Sequence, residues 1–238
     1  MIYLLRLIGV FSVLGFTAIT SANAAGDAVF TVPDSMAQRT LACTVCHGKE
    51  GRATNAGFFP RIAGKPAGYL YSQLLNFRDG RRYNKLMSPL LATLSDAYLR
   101  EIADYFASLD LPYPPPQAAS LPAQGRERGE SLVRHGDTAR DIPACTACHG
   151  AAMTGTEPGV PGLLGLPRDY LNAQLGAWRT GQRKATLPDC MHAIAQRLDM
   201  ADVSALSDWL ATQPVPVPAK AAVASASPLP IECGKVPK

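Results

Sequence analysis

Apolar residues recur at helical spacing in two stretches of the chain that lie about a hundred residues apart. Their apolar positions are four and three residues apart: Leu70, Leu74 and Phe77 in the first stretch, and Leu171, Leu175 and Trp178 in the second. This period is typical of a helix with one buried face. Gly80 and Gly181 follow the two stretches and predict where each helix ends.

A second pair of amphipathic helices is predicted near the end of each half. Ser95 and Asp199 are N-cap candidates, because their side-chain oxygens can accept hydrogen bonds from the first turn of a helix. The apolar positions that follow form one stripe per helix: Leu99, Ile102, Phe106 and Leu109, and Val203, Leu206 and Leu210. No long stretch alternates between apolar and polar residues, so the predicted fold class is all-α.

An internal repeat relates the two halves. FPRIAGKPAGYLYSQLLNFRDGRR (59–82) aligns with VPGLLGLPRDYLNAQLGAWRTGQR (160–183). After a slip of three residues, LMSPLLATLSDAYLREIADYFASL (86–109) aligns with CMHAIAQRLDMADVSALSDWLATQ (190–213). A repeat of this length predicts two domains of one kind. Each would hold only about ninety residues, a size at which a hydrophobic core alone is marginal.

The positions of proline residues and the local composition predict the boundaries between the segments of the chain. We predict a signal peptide at 1–24, a first domain at 25–112, a proline-rich connector at 113–124, a second domain at 125–213, and a Pro/Ala-rich tail at 214–238. We expect the connector to be extended, the start of the second domain to be a charged helix over 125–136, and the tail to be mobile.

The first 24 residues have the pattern of an export signal. Arg6 provides a positive charge, residues 7–19 are mostly apolar, and Ala22-Asn23-Ala24 is a small-x-small cleavage site. This pattern predicts a periplasmic protein. If the segment is not cleaved, it would instead hold the protein loosely on the membrane.

The hexapeptide CTVCHG at 43–48 returns as CTACHG at 145–150. A thioredoxin-type redox motif requires a βαβ setting and has no use for the histidine. A structural zinc site requires four ligands, whereas each half clusters at most three. Covalent haem uses every residue, because two thiols form thioethers with the vinyl groups and the histidine binds the iron. We therefore predict two covalently bound haem c groups. The predicted thioether residues are Cys43, Cys46, Cys145 and Cys148, and the predicted iron ligands are His47 and His149.

The second axial ligand of each iron must come from outside the motifs. Met87 aligns with Met191, and each lies about 40 residues after its histidine and just before the last helix. Methionines more often fill cores, but a thioether ligand also raises the reduction potential, as befits an electron carrier. We predict Met87 and Met191 as axial ligands. Met153 lies too close to His149, and Met200 has no counterpart in the first half.

Two alternatives concern the second site. His192 is the main rival of Met191, because a shift of one residue in register would give a bis-histidine haem, although Ser88 stands at the matching position. Cys190 could also bind iron as a thiolate. Cys190 and Cys233 are the only cysteines left after both haems are attached, so we expect them to form a disulfide.

The formal net charge of +4 is modest and spread along the chain, with no basic run interleaved with aromatic residues. This distribution argues against nucleic acid as a partner. Arg78 and Arg179, and with less support Arg81, Arg82 and Arg183, are candidates to pair with haem propionates, because the guanidinium fork matches a carboxylate. The alternative is that they are solvated arginines at helix ends.

Over residues 35–213 the chain resembles the di-haem cytochrome c4 family, in which one polypeptide carries two class I cytochrome c domains. The resemblance rests on the two motifs, the segment with the pattern YL…QL…FR.G.R, and the methionine-to-final-helix block. It implies an all-α fold of two tandem class I domains, each wrapped around one covalently bound haem. It also implies that the carbonyl groups of Pro60 and Pro161 hold His47 and His149. Cys190, Cys233 and the tail depart from the family pattern.

The resemblance implies a periplasmic electron carrier and not an enzyme. Its partners would be redox proteins such as a quinol-oxidising complex, a terminal oxidase or a periplasmic dehydrogenase. The alternative is a haem-containing subunit of a periplasmic oxidoreductase, of the thiosulfate or alcohol/sugar dehydrogenase type. A catalytic site would require an iron ligand that can leave and acid/base residues beside the iron, and the sequence has no separate constellation of that kind.

Overall fold

The computed structural model describes residues 32–54, 57–224 and 228–234, so the predicted signal peptide lies outside the described residues. Ten α-helices occur in this part of the chain: α1 (Met36–Arg39), α2 (Leu41–His47), α3 (Ala67–Arg78), α4 (Met87–Leu91), α5 (Asp96–Ser108), α6 (Ala123–Arg134), α7 (Thr146–His149), α8 (Arg168–Arg179), α9 (Cys190–Arg197) and α10 (Met200–Thr212). Short 3-10 turns span Lys49–Gly51 and Thr138–Arg140. The strands in the described residues, β1 (Gly155–Thr156) and β2 (Val160–Pro161), form a small antiparallel hairpin. The all-α prediction is confirmed.

The predicted helix ends agree with the structure. Helices α3 and α8 end just before Gly80 and Gly181, whose φ angles of 77° and 72° favour glycine. The Ser95 hydroxyl accepts a hydrogen bond from the backbone N–H of Tyr98 at the start of α5. At the start of α10, Asp199 forms a capping box with Asp202. Local sequence is therefore sufficient to place these four helices.

Each half has its own hydrophobic core. In the first, α3 packs on α5 around the buried residues Leu75, Leu99 and Phe106. In the second, α10 packs on both α6 and α8 around Leu132, Leu206 and Leu210. The repeat in the sequence thus corresponds to a repeat in packing.

The described residues from Asp34 onward form one compact unit, because the halves also contact each other directly. Arg82 and Arg183 lie opposite each other in an isolated antiparallel bridge. The Lys184 backbone N–H donates to the Arg81 carbonyl at 2.8 Å, and the Lys65 ammonium donates to the Gly162 carbonyl at 2.8 Å. Equivalent parts of the two halves therefore face each other.

Residues 113–122 of the connector lack regular structure, whereas α6 already begins at Ala123. The connector is bound at several points. Arg61 stacks 3.9 Å from the ring centroid of Tyr113, and it donates to the carbonyl groups of Leu111 and Pro112 just before the connector, at 2.6 and 3.0 Å. Further along, the Ser120 hydroxyl and backbone N–H both donate to the buried carboxylate of Asp208. These contacts hold the connector against both cores.

The tail is also bound, which differs from the mobile segment expected from its composition. The Ala222 backbone N–H donates to the Gly155 carbonyl at 2.9 Å, and the Glu157 N–H donates to the Ala222 carbonyl at 2.8 Å. Composition alone cannot reveal such pairing, since any residue except proline can supply the backbone N–H. No helix in the described part of the chain is long and apolar enough to cross a membrane.

Candidate cofactor-binding sites

The first Cys-x-x-Cys-His motif occupies the end of α2. Cys43 and Cys46 are half-buried free thiols, and His47 is the last residue of the helix and is buried. Its ring Nδ1 lies 2.8 Å from the carbonyl oxygen of Pro60. Gly48 then turns the chain at φ 77°, where a β-carbon would stand 2.2 Å from the carbonyl oxygen of Ala53. The motif therefore requires glycine after the histidine.

The second motif repeats this arrangement at α7. Cys145 precedes the helix, Cys148 lies within it, and both are half-buried free thiols. His149 is the last helical residue, and its Nδ1 lies 2.7 Å from the carbonyl oxygen of Pro161. In both halves the thiols and the buried imidazole are thus held on one short helix.

The surroundings keep both imidazoles neutral. Burial lowers the pKa of His47 and of His149, and this effect outweighs the opposing effect of the proline carbonyl groups. When Nδ1–H donates to a carbonyl group, Nε2 has a free lone pair, and its direction is set by the hydrogen bond. A neutral, oriented imidazole is the form that binds iron. Burial also raises the pKa of the Cys145 thiol to about 11.

The two predicted methionines lie at equivalent positions. Met87 begins α4 and packs partly buried against the first core, and its backbone N–H donates to the Asn84 side chain at 3.1 Å. Met191 lies in the first turn of α9 and is half-buried. By contrast, Met200 is 63% exposed at the start of α10. The rival His192 has its Nδ1 2.9 Å from the Trp178 carbonyl oxygen.

A pair of arginines occupies the contact between the halves. The Arg82 guanidinium donates to Oε1 of both Gln73 and Gln174, at 2.9 and 2.5 Å. Arg183 donates to the same two oxygens, at 3.0 and 2.8 Å. Tyr170 accepts a longer bond from Arg82, and Tyr69 accepts one from Arg183. Each half therefore supplies one tyrosine, one glutamine and one arginine to a network with approximate two-fold symmetry.

We call Arg82 and Arg183 the arginine pair. Among the described residues, neither guanidinium donates a hydrogen bond to a carboxylate, so their positive charges are not neutralised there. Arg183 is only 4% exposed, and both burial and the neighbouring Arg82 lower its pKa. A buried cation beside another cation is costly unless an anion offsets it. The arginine pair is thus a candidate anion site.

The two arginines favoured from the sequence have other partners. Arg78 forms ion pairs with Asp79 and Asp96, and also donates to the Leu94 carbonyl. Arg179 donates to the Ala195 carbonyl at 3.2 Å. Each arginine therefore binds the segment that follows the predicted methionine of its own half. From the sequence, Arg82 and Arg183 were less favoured as propionate partners than Arg78 and Arg179. The alignment of Gln73 with Gln174 does not show that these two glutamines lie close together. The sequence signal that pointed to this contact was the presence of identical polar residues at matching positions of the two repeats.

Cys190 and Cys233 form a disulfide in the structure, with an S–S distance of 2.14 Å across a sequence separation of 43. Cys190 is the first residue of α9, directly before Met191. The disulfide therefore joins the tail to the segment that carries the predicted second methionine.

The residues present fit covalent haem. All four motif thiols are free, and the arginine pair suits the carboxylates of two porphyrins. The Trp178 indole Nε1 is buried without a hydrogen-bond partner in the described residues, directly beside the Arg183 guanidinium, which stacks 3.7 Å from a Trp178 ring centroid. Both groups are hydrogen-bond donors, so a carboxylate such as a haem propionate has the chemistry that suits them.

Comparison with known proteins agrees with this chemistry. Cytochrome c4 of Pseudomonas aeruginosa is 35% identical over 206 residues, which cover 86% of this chain and 96% of the relative. A protein of Thiomonas intermedia named thiosulfate dehydrogenase electron acceptor is 38% identical over 176 residues, covering 73% of this chain and 79% of the relative. The crystal structure of reduced cytochrome c4 from Pseudomonas stutzeri matches with a TM-score of 0.65 and 30% identity, over 74% of this chain and 96% of that one. No protein-family model matches the chain.

Proposed function

The chain belongs to the cytochrome c4 family of di-haem electron-transfer proteins, and we propose that it accepts single electrons from a thiosulfate dehydrogenase in the periplasm and delivers them to a terminal oxidase. Its cofactors are two covalently bound haem c groups, which supply reversible one-electron chemistry at iron. The protein is an electron carrier. The partners, the compartment and the individual ligands below are our proposals.

The proposed partner is supported by the protein of Thiomonas intermedia. Its name describes an electron acceptor of thiosulfate dehydrogenase, and it matches across both halves of this chain. An acceptor must release its electrons again. Two haem sites that meet at a shared contact suit that task, because one site can face the donor while the other faces the next acceptor.

We assign the axial ligands as His47 with Met87 and His149 with Met191. The support is the equivalent placement of each pair, together with the proline carbonyl groups that orient both imidazoles. With these four residues as ligands, neither iron would have a position open to a substrate, which favours electron transfer over substrate chemistry. The neutral imidazoles and thioethers add no charge at the irons, which keeps the ferrous state accessible.

We assign the arginine pair, in preference to Arg78 and Arg179, as the site of the haem propionates. Arg78 already has two carboxylate partners, whereas Arg82 and Arg183 bond to neutral groups. If propionates of both haems meet the same two guanidinium groups, the haem edges converge at the contact between the halves. Convergent edges would allow rapid electron exchange within the protein.

A reduction assay tests the proposed partner. Ferric holoprotein is mixed with purified thiosulfate dehydrogenase and thiosulfate, and haem reduction is followed by its visible spectrum. We expect reduction only when dehydrogenase is present. Reduction by thiosulfate alone would instead support a catalytic haem subunit, and absence of reduction in the complete mixture, with a known acceptor reduced in parallel, would refute the donor assignment.

A further inference from the structure

The described part of the tail contacts both sides of the second haem site. We call residues 214–224 and 228–234 the C-terminal strap. At one end, Ala222 forms a parallel bridge with Thr156, and its backbone groups bond to Gly155 and Glu157. The Thr156 hydroxyl in turn donates to the carbonyl of Cys148 at 2.9 Å. This end of the strap is therefore tied to the second motif, on the histidine side.

The other end of the strap is tied to the methionine side. Cys233 is bonded covalently to Cys190, at the first position of α9. The next residue, Gly234, donates from its backbone N–H to the Pro188 carbonyl at 2.7 Å. A β-carbon on Gly234 would stand 2.2 Å from the Thr186 carbonyl oxygen. This close approach shows that the strap is packed tightly against the loop before Met191.

The helix start at Met191 is held from two directions. Asp189 accepts hydrogen bonds from the backbone N–H of His192, at 3.0 Å, and of Ala185, at 2.7 Å. The disulfide adds a covalent restraint at Cys190, one residue before the proposed ligand. Together they restrict how far Met191 can move from its place in the first turn.

The first half has a hydrogen-bonded restraint of this kind but no disulfide beside its methionine. Asn84 accepts hydrogen bonds from the backbone N–H groups of Leu86 and Met87, at 2.9 and 3.1 Å, and so corresponds to Asp189. The cysteines of the first half, Cys43 and Cys46, both belong to its motif, so no cysteine there corresponds to Cys190. The restraint by a disulfide is thus specific to the second haem site.

We propose that the C-terminal strap, locked by the Cys190–Cys233 disulfide, positions Met191 as the axial ligand of the second haem and keeps external ligands from displacing it. Cys190 and Cys233 are positioning residues and do not touch the iron. This inference rests on the ligand assignment under the proposed function. Its consequence is that the second iron resists ligand exchange more strongly than the first.

The test uses the full-length holoprotein with Met87→His, so that the weak far-red methionine-to-iron band of the ferric state reports only the second haem. Imidazole is titrated into this protein and into the same protein with Cys190→Ser and Cys233→Ser, and loss of the band is measured. We expect half-loss in the double serine variant at an imidazole concentration at least tenfold lower. An equal midpoint would overturn the proposal.

A second pair of variants covers the case in which the serine variant does not mature. Ala222→Pro removes the N–H that donates to Gly155, whereas Ala222→Ser retains it. We expect Ala222→Pro to lower the imidazole midpoint and Ala222→Ser to leave it unchanged. If the far-red band is absent from the Met87→His protein from the outset, the ligand assignment itself is wrong. If the band is present and no strap variant changes the midpoint, only the strap proposal fails.

Discussion

Lys65, in the first half, donates a hydrogen bond from its buried ammonium group to the carbonyl oxygen of Gly162, in the second half, over 2.8 Å. Gly162 directly follows Pro161, whose carbonyl holds His149. Leu166 occupies the repeat position that corresponds to Lys65, so no lysine of the second half matches it there. One half therefore places a titratable group against the histidine loop of the other.

This lysine gives the stability of the protein a defined pH dependence. Burial, and to a lesser degree the neighbouring Arg61, lowers the pKa of Lys65 from 10.5 to about 7. Between these two values the unfolded chain binds more protons than the folded one. The free energy of unfolding should therefore rise as the pH increases from about 7 to about 10, because each unit of pKa shift corresponds to ~1.4 kcal/mol.

Lys65→Met should remove most of that rise. Chemical denaturation at several pH values measures the effect, with the exposed Lys184→Met as the control. A Lys65→Met protein whose stability changes with pH as steeply as that of the wild type would contradict the assignment.

Replacement of a methionine ligand by histidine should lower the potential of one haem. For Met191→His we expect the far-red band to lose about half its intensity and one midpoint potential to fall by on the order of 100 mV, well within the ~0.8 V over which axial ligands move haem potentials. Spectroelectrochemical titration measures both. Met200→His is the matched control, since Met200 is largely exposed, and His192→Ala should keep the band. An unchanged band in Met191→His, together with a shifted midpoint potential in His192→Ala, would favour the bis-histidine alternative.

Removal of one guanidinium from the arginine pair should lower the haem potentials, because a buried positive charge favours the ferrous state. For Arg183→Met we expect a decrease on the order of 60 mV, equivalent to ~1.4 kcal/mol for one electron. Arg179→Met is the control, since Arg179 occupies the end of α8 and donates to a backbone carbonyl. If the two variants shift the potentials equally, the arginine pair has no special role.

Asp202 should contribute to the acid stability of the second half. Burial alone would raise the pKa of its carboxyl group, but hydrogen bonds from Arg128 and Arg140 outweigh this effect and lower the pKa. Its stabilisation is therefore present above the ordinary carboxyl pKa and is lost as the pH falls through the lowered value. We expect Asp202→Asn to cost about 2 kcal/mol at pH 7, less than the ~3–5 kcal/mol of a fully buried pair, because both arginines are partly exposed. Glu130→Gln, which affects only an exposed pair with Arg134, should change the unfolding free energy little.

Local signals predicted much of this molecule. The caps at Ser95 and Asp199 and the stops at Gly80 and Gly181 agree with the structure, because capping and positive φ depend on neighbouring residues. The repeat likewise predicted that equivalent helices would recur. The short helices that carry the motifs were not predicted, since α2 and α7 are too brief to show an apolar period.

Contacts between segments that are distant in sequence could not be predicted from local sequence patterns. The proline-rich connector is fixed by Arg61, which stacks on Tyr113, and by Asp208, which accepts from Ser120, and both lie far from it in sequence. The tail pairs through the backbone of Ala222, which has no distinguishing side chain. The meeting of Arg82 with Arg183 depends on how the halves pack, and neither half specifies this alone.

The symmetry of the arginine pair has an evolutionary consequence. Each half brings the same tyrosine, glutamine and arginine to the contact, so the surface is complementary to a copy of itself, as in a two-fold homodimer. An ancestral single-haem module with these residues could have dimerised through this patch before gene duplication joined two copies. In the present chain the two halves differ at Lys65, which only the first half has at that repeat position, and at the Cys190–Cys233 bond, which involves only the second half and the tail.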